Sequence, residues 1–414
     1  MRYLEKHAFY PPLIEERPSD DLSMLVVIPV FDEPALLNSL QCLAACDPLV
    51  DGSLEVIVVI NHGERAEEQA KLQNEQTFRE AKDWATQNSR AACRFHILYC
   101  PDLPHKQAGV GLARKIGMDE AVRRLQRANQ PKGIILCFDA DTLCPLDYLQ
   151  SVGAYFKKHP KCPGVSIAYK HPIEGNDFPS EVYSAIIDYE LHLRYFLAAK
   201  QWAGFPYAFE TIGSAMAVRA DVYQQQGGMN KRKAGEDFYF LNKFTVLDHF
   251  GEITNTAVFP SPRRSHRVPF GTGRAVAEML DRQGPYKTYA PSSFIELKQT
   301  FEALPFIYVE DKLDWEARLP LQMKAYLAQL GFEEKLQELR QHTRSFDGFR
   351  KRFFRWFNAF LIMKFVHFAR DRAYPDVAVG EAANWLLKHL KQPIANEKDA
   401  KQLLLQYRQL AYRD

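Results

Sequence analysis

The chain has 414 residues, of which 46% are hydrophobic and 25% are charged. This balance is typical of a globular protein with enough apolar material for a large core, and it argues against a disordered or fibrous chain. The formal net charge of +2 provides no strong field for polyanions, so we expect no nucleic-acid partner.

The first third of the chain alternates between short apolar runs and helical patterns. Residues 24–30 (MLVVIPV) and 55–60 (EVIVVI) are rich in β-branched side chains, which is typical of parallel strands buried on both faces. Between them, apolar residues recur at helical spacing over 35–44. The elements predicted next are a strand over residues 94–99, a helix over 112–127 and a strand over 133–138. This alternation predicts a doubly wound α/β sheet, mostly parallel and flanked by helices.

The second half of the chain is predicted to become helical. The predicted elements are a strand over residues 164–169, a helix over 180–200, a strand over 214–219 and helices over 313–330, 348–372 and 398–412. Gly284, Pro285 and Pro291 interrupt the chain where the pattern changes. The predicted organisation is therefore an N-terminal extension over 1–23, an α/β domain over 24–280 and a helical C-terminal region over 281–414.

Cysteine usage and the absence of targeting patterns predict a cytoplasmic location. The seven cysteines are scattered without a CxxC pair, which is typical of reduced thiols. The N-terminal residues lack the apolar core of a signal peptide. The most apolar stretch, 353–369, is interrupted by Arg355 and Lys364 and is shorter than the roughly 20 apolar residues of a spanning helix.

Two aspartates, Asp139 and Asp141, directly follow the strand predicted at 133–138. Ligands of open α/β sheets bind at the carboxyl ends of the strands. Carboxylates at i and i+2 can form a hard oxygen site for Mg²⁺ or Mn²⁺, and such a metal would neutralise charge on a departing diphosphate. A solvated acidic turn is the alternative interpretation, and this tripeptide alone does not decide between the two.

Further motifs accompany this pair of aspartates. They are residues 27–33 (VIPVFDE), 212–219 (IGSAMAVR) and 235–241 (GEDFYFL). In their order and spacing, residues 24–275 resemble the GT-A glycosyltransferases of family 2. The resemblance implies a GT-A Rossmann-like fold and glycosyltransferase activity, with a hexosyl group as the expected transferred group.

The resemblance also implies roles for two acids at the start of a predicted helix. Asp237 would accept the proton of the acceptor hydroxyl, and Glu236 would hold the acceptor or a loop in place. An ionised carboxylate within hydrogen-bond reach suits this task. Acids in the first turn of a helix also stabilise the helix itself, and both roles are compatible.

The donor-side residues follow from the same resemblance. The residues expected beside the nucleotide sugar are Pro29, Phe31, Glu33, Asn61, Lys106, Arg114, Asp139, Gly213 and Arg267. The metal ligands would be Asp139 and Asp141, with His266 as a candidate third ligand that could equally be structural. Arg267 lies in the basic, glycine-containing segment 261–274, where arginine forks would match phosphate oxygens.

Two departures from the family pattern limit the prediction. The second strand ends in Asn61 and His62 instead of an acidic turn, so UDP is favoured over GDP without being decided. The C-terminal region lacks the transmembrane helices of the family's polysaccharide synthases, so we expect a non-processive enzyme.

A dinucleotide site at Gly109 to Gly111 is disfavoured, because Arg114 stands in place of the third glycine.

The sequence thus predicts a metal-dependent, inverting glycosyltransferase that moves a sugar from a UDP-sugar to a sugar, lipid or small-molecule hydroxyl. A sugar nucleotidyltransferase is one alternative, although no glycine-rich loop follows the first strand. A nucleotide-sugar-binding protein without catalysis is another. The basic, aromatic segment 348–372 is expected to be a core helix, with peripheral contact at the inner face of the membrane as the alternative.

Overall fold

The computed structural model describes residues 2–265, 267, 271–281, 284–309, 311–393, 396 and 399–410. The chain forms two compact units. The sheet unit consists of Met1–Pro179 and Glu210–Ala277, and the helical unit consists of Ser180–Phe209 and Glu278–Asp414.

The first half of the chain contains most of the strands. Its elements are α1 (Arg2–His7), β1 (Leu22–Val30), α2 (Leu36–Ala45), β2 (Ser53–Gly63), α3 (Glu68–Asn88), β3 (Cys93–Leu103), α4 (Val110–Arg127), β4 (Ile134–Cys137), β5 (Thr142–Leu143), α5 (Tyr148–Lys158), β6 (Gly164–Tyr169) and α6 (Ser180–Trp202).

Helices dominate the second half. Its elements are β7 (Met216–Arg219), α7 (Ala220–Gln225), α8 (Glu236–Thr245), β8 (Gly251–Pro260), α9 (Thr272–Asp281), β9 (Lys287–Thr288), α10 (Pro291–Glu302), α11 (Leu304–Val309), α12 (Lys312–Ala317), α13 (Leu321–Gln329), α14 (Phe332–Gln341), α15 (Phe346–Trp356), α16 (Ala359–Arg372), β10 (Val377–Ala378), α17 (Val379–His389) and α18 (Ala400–Leu410).

The strand order of the large sheet, within the described residues, is β3-β2-β1-β4-β7-β6-β8-β5. The pairs β3/β2, β2/β1, β1/β4 and β6/β8 are parallel, whereas β4/β7, β7/β6 and β8/β5 are antiparallel. Val27 at the centre pairs with Ile57 and Cys137, and all three side chains are buried. The predicted α/β fold with a mostly parallel sheet and a helical C-terminal region is confirmed.

Two predicted long helices are each divided in the structure. Segment 313–330 forms α12 and α13, because Pro320 takes the N-cap position of α13. Segment 348–372 forms α15 and α16, where the Asn358 side chain accepts hydrogen bonds from the amides of Phe360 and Leu361 at 3.0 and 3.2 Å. A side-chain cap of this kind starts a new helix.

The aromatic side chains of segment 348–372 belong largely to the core of the helical unit. Phe349, Phe353, Phe354 and Phe357 are buried. Their burial agrees with the expected core helix, because buried rings are not available for contact with a membrane. Among the helices of the described ranges, none combines the length and apolar character needed to cross a bilayer.

Candidate active site

A cavity of about 460 Å³ opens at the carboxyl ends of the central strands of the sheet unit. Of the residues predicted from the sequence, it is lined by Pro29, Phe31, Glu33, Asn61, Asp139, Asp141 and Arg267. The predicted residues outside its lining are Lys106, Arg114, Gly213, Glu236 and Asp237. His266 lies outside the described residues. Both aspartates of the DxD motif therefore face the same space as the end of β1.

Arg114 connects the DxD motif to the start of α8. It projects from α4 and is buried, and its guanidinium donates hydrogen bonds to Glu236 through Nη1 and to Asp139 through Nη2. Burial opposes the charged form, but Asp139 and Glu236 outweigh it and hold the pKa of Arg114 above its ordinary value. Because both carboxylates already occupy the guanidinium, Arg114 organises the site from behind the cavity wall.

Gly213 is the residue against which this guanidinium packs. A Cβ at this position would lie 2.6 Å from both Nη1 and Nη2 of Arg114, well inside contact distance. The sequence motif around residue 213 predicted a place beside the donor sugar, and in the structure this glycine lies against the guanidinium of Arg114. A side chain at residue 213 would require the end of Arg114 to move.

Glu236 and Asp237 occupy the first turn of α8, after Gly235 with φ of +67°. The Asp237 carboxylate accepts a hydrogen bond of 2.7 Å from the Phe238 amide, one of the free amides in the first turn of the helix. Burial raises the pKa of Asp237, while Arg114 and the Phe238 amide oppose the rise and Asp139 adds to it. Asp237 is thus electrostatically linked to Asp139 and Arg114.

Glu33 holds the segment that follows β8 over the cavity. Its buried carboxylate accepts hydrogen bonds from Arg263 and Arg267, with the Arg267 Nη1 to Oε2 distance at 3.1 Å. Arg263 also lies 2.8 Å from Asp141. Glu33, which was predicted to contact the nucleoside, therefore forms ion pairs with two arginines. Arg263 was not singled out from the sequence, although it lies in the basic segment expected to face phosphate.

Asp141 is surrounded by charge of both signs. Burial raises the pKa of its carboxyl to about 6, Arg263 opposes this, and the negative Asp139 and Glu33 contribute to the rise. A site with excess carboxylate charge favours a cation. Within the described residues, no group of three or more possible ligands could hold a metal. Asp139 and Asp141 would hold a divalent ion with phosphate or water oxygens in its remaining coordination positions.

The end of β2 forms another wall. Asn61 is buried and its Nδ2 donates to the Val30 carbonyl at 2.9 Å, while Asn74 donates to the Asn61 carbonyl at 2.9 Å. These bonds hold the ends of β1 and β2 together. Besides Arg263, the lining residues that sequence reasoning did not assign to the site include His62, Arg65, His105 and Lys233. His105, which lines the cavity, is the chain neighbour of the predicted Lys106, which is exposed and lies outside the lining.

Comparison with known proteins provides only distant likenesses. No family model and no curated protein matches the chain. The chain is similar to the structure of S. aureus TarS 1-349 in complex with UDP-GlcNAc, with 14% sequence identity over 95% of this chain and 93% of the TarS 1-349 chain and a TM-score of 0.38. It is also similar to the mannosyltransferase PcManGT from Pyrobaculum calidifontis in complex with GDP-Man and Mn²⁺, with 16% identity over 86% and 92% of the two chains and a TM-score of 0.35.

Proposed function

We propose that this protein is a glycosyltransferase that binds a nucleotide diphosphate sugar in the cavity of the sheet unit. The observation that carries the proposal is the Arg114 bridge. It ties Asp139, which lines the cavity, to Glu236, the neighbour of Asp237 in the first turn of α8. Donor-side and acceptor-side groups of the predicted mechanism thus belong to one buried network.

The diphosphate would lie near Asp139, Asp141 and the arginines of the segment after β8. A divalent Mg²⁺ or Mn²⁺ held by the two aspartates would neutralise the charge of the leaving nucleotide. Arg263 and Arg267 would exchange part of their contact with Glu33 and Asp141 for phosphate oxygens, which guanidinium forks bind in the same geometry.

Asp237 would act as the general base for an inverting transfer. Its carboxylate takes the proton from the acceptor hydroxyl while that oxygen attacks the anomeric carbon, and Glu236 keeps Arg114 in place. Asn61 lines the cavity and would meet a pyrimidine edge through its Oδ1, since its Nδ2 donates to the Val30 carbonyl, and a UDP-sugar is the proposed donor. The acceptor would be a hydroxyl of a sugar, lipid or small molecule.

The proposed setting is the cytoplasm, with non-processive transfer. A peripheral contact at the inner membrane face would have to use the basic side chains of segment 348–372, because the phenylalanines named above are buried. Supporting this arrangement, Arg350 and Lys351 of α15 are exposed.

The test measures nucleotide binding and sugar transfer separately. We expect UDP or a UDP-sugar with Mn²⁺ to raise the unfolding temperature of the full chain, since a ligand that binds only the folded state stabilises it. For Asp141→Asn, at least ten times more nucleotide should be needed to give the same rise in unfolding temperature. Asp147→Asn, which alters an exposed aspartate outside the cavity, should leave it unchanged.

Asp237→Asn separates the base from the donor site. The variant should keep the nucleotide-dependent rise in unfolding temperature. Its rate of donor hydrolysis or sugar transfer should fall by about 10²-fold or more, the typical contribution of a general base. Equal loss of binding in the Asp141 and Asp237 variants would contradict the assigned roles. Release of pyrophosphate from a sugar phosphate and UTP would instead identify a nucleotidyltransferase.

A further inference from the structure

Three thiols meet on the side of the sheet unit next to the DxD motif. Cys42 lies on α2 and Cys46 is the C-cap residue that follows this helix, while Cys144 follows β5, three residues after Asp141. The Sγ of Cys144 lies 3.6 Å from that of Cys42 and 3.7 Å from that of Cys46. All three cysteines are free thiols in the structure.

The Cys42 and Cys144 sulfurs are placed to form a bond with little movement. A disulfide has an S–S distance of about 2.0 Å, so the two sulfurs would have to approach by about 1.5 Å, which side-chain rotation can supply. The chain separation of the two residues is 102 positions, so only the folded chain brings them together.

The two thiols differ in reactivity. Cys42 is partly exposed, whereas Cys144 is buried. The contact with Cys144 lowers the pKa of the Cys42 thiol to about 6 against the effect of burial, and the Cys144 amide adds to this by donating to the Cys42 sulfur at 3.2 Å. A thiolate is the nucleophilic form of cysteine, so Cys42 is the sulfur that an oxidant meets first.

We propose that Cys42 and Cys144 form a reversible disulfide when a hydroperoxide oxidises the protein. The Cys42 thiolate attacks one peroxide oxygen, and the O–O bond breaks to leave a sulfenic acid on Cys42 and hydroxide, which takes up a proton. The Cys144 thiol then attacks the Cys42 sulfur and water leaves. Two thiols are oxidised and one hydroperoxide is reduced.

The bridge would act on the segment that carries the DxD motif. On the same face of α2, the Ser39 hydroxyl lies 2.9 Å from the Ala140 carbonyl and 2.8 Å from the Thr142 carbonyl, to which it donates. A disulfide would replace part of this hydrogen-bonded contact between α2 and residues 140–144 by a covalent one. This inference depends on the thiols alone and stands independently of the proposed function.

The experiment treats the reduced full-length protein with equimolar hydrogen peroxide and maps its peptides without reduction. We expect the mass of two hydrogen atoms to be lost, a single linked pair of peptides containing Cys42 and Cys144, and complete reversal by dithiothreitol. Oxidised protein should unfold at a higher temperature than reduced protein, because the bridge restricts the unfolded chain.

Two variants sharpen the result. Cys42→Ser should abolish the linked peptides and the rise in unfolding temperature, whereas Cys93→Ser, which lies outside the three-thiol cluster, should retain both. A major Cys46–Cys144 linkage, oxidation of Cys42 to a sulfinate with Cys144 still free, or no linked peptide in the wild-type protein would each overturn the proposal. The wild-type map decides even if a variant folds poorly.

Discussion

At the scale of single residues, the site consists of carboxylates matched to arginines. Arg114 is shared by Asp139 and Glu236, and Arg263 by Glu33 and Asp141. Removing one partner of a buried pair typically costs about 3–5 kcal/mol, because the other charge is left without compensation. The positions of these side chains are therefore coupled, and a change that moves one arginine alters the ion pairs of both of its carboxylates.

Gly213→Ala tests the coupling without changing a charge. The added Cβ should displace the Arg114 guanidinium and lower the free energy of unfolding by about 1–3 kcal/mol, the usual cost of overpacking. It should also weaken nucleotide binding through Asp139. Urea unfolding and the nucleotide-dependent thermal shift measure both effects.

Gly153→Ala is the matched control for this substitution. A Cβ at Gly153 would find its nearest neighbours, Leu49 and Met24, at an ordinary 3.8 Å. Since Gly153 lies inside α5, alanine should be neutral or stabilising by up to about 1 kcal/mol. A Gly213 variant as stable and as active as the Gly153 variant would contradict the packing role.

At the scale of elements, α6 contains buried charged side chains within the helical unit. Glu190 on this helix accepts hydrogen bonds from Arg194 at 2.7 Å and from Arg408 of α18 at 2.6 Å. Asp188, two residues earlier, has a backbone amide from Tyr286 as a partner, and burial raises its pKa to about 6. The two acids of one helix thus differ in how their charge is compensated.

Asp188 should make the stability of the helical unit depend on pH. Its folded pKa of about 6 lies above the ordinary 3.8, so the folded state binds the proton more tightly than the unfolded state. The resulting stabilisation is present below about pH 4 and is lost as the pH rises through about 6, with a size of about 1–3 kcal/mol.

Urea unfolding at pH 4.5 and 7.5 checks this sign. Relative to Asp188→Asn, whose amide does not titrate, the wild-type protein should be more stable at the lower pH than at the higher one. A constant difference between the two proteins across this range would show that Asp188 titrates normally.

At the scale of the whole molecule, each of the two units has its own apolar core. In the helical unit, Phe353 is fully buried and its ring contacts Phe332, Phe354 and Phe357. In the sheet unit, the central strands form a continuous buried layer around Val27 and Ile57. Segment 348–372 thereby contributes its buried phenylalanines to this core.

Phe353→Ala should cost about 3–5 kcal/mol of unfolding free energy, through lost burial and the cavity left behind. Phe306→Ala is the control, because Phe306 is 41% exposed and its removal leaves no closed cavity. Calorimetry or denaturant unfolding compares the two variants. Similar losses in both would mean that Phe353 packs loosely.

The chain order of strands, helices and acidic motifs could be predicted because it depends on local patterns. Buried parallel strands are apolar over their whole length, and the DxD aspartates lie directly after such a strand. The strand Gly251–Pro260 was not predicted, since its buried and exposed positions follow no regular period and its pairing with β6 shifts register. The catalytic and metal roles of the acids stay predictions.

The sequence by itself determined which residue types stand at the carboxyl ends of the strands, and hence that polar and charged side chains meet there. Only the tertiary structure decided how those residues pair. Glu236 lies 122 positions from Arg114, and Glu33 lies 230 positions from Arg263. Contacts at such separations depend on how buried charges find compensation in the packed chain, and no local periodicity records that choice.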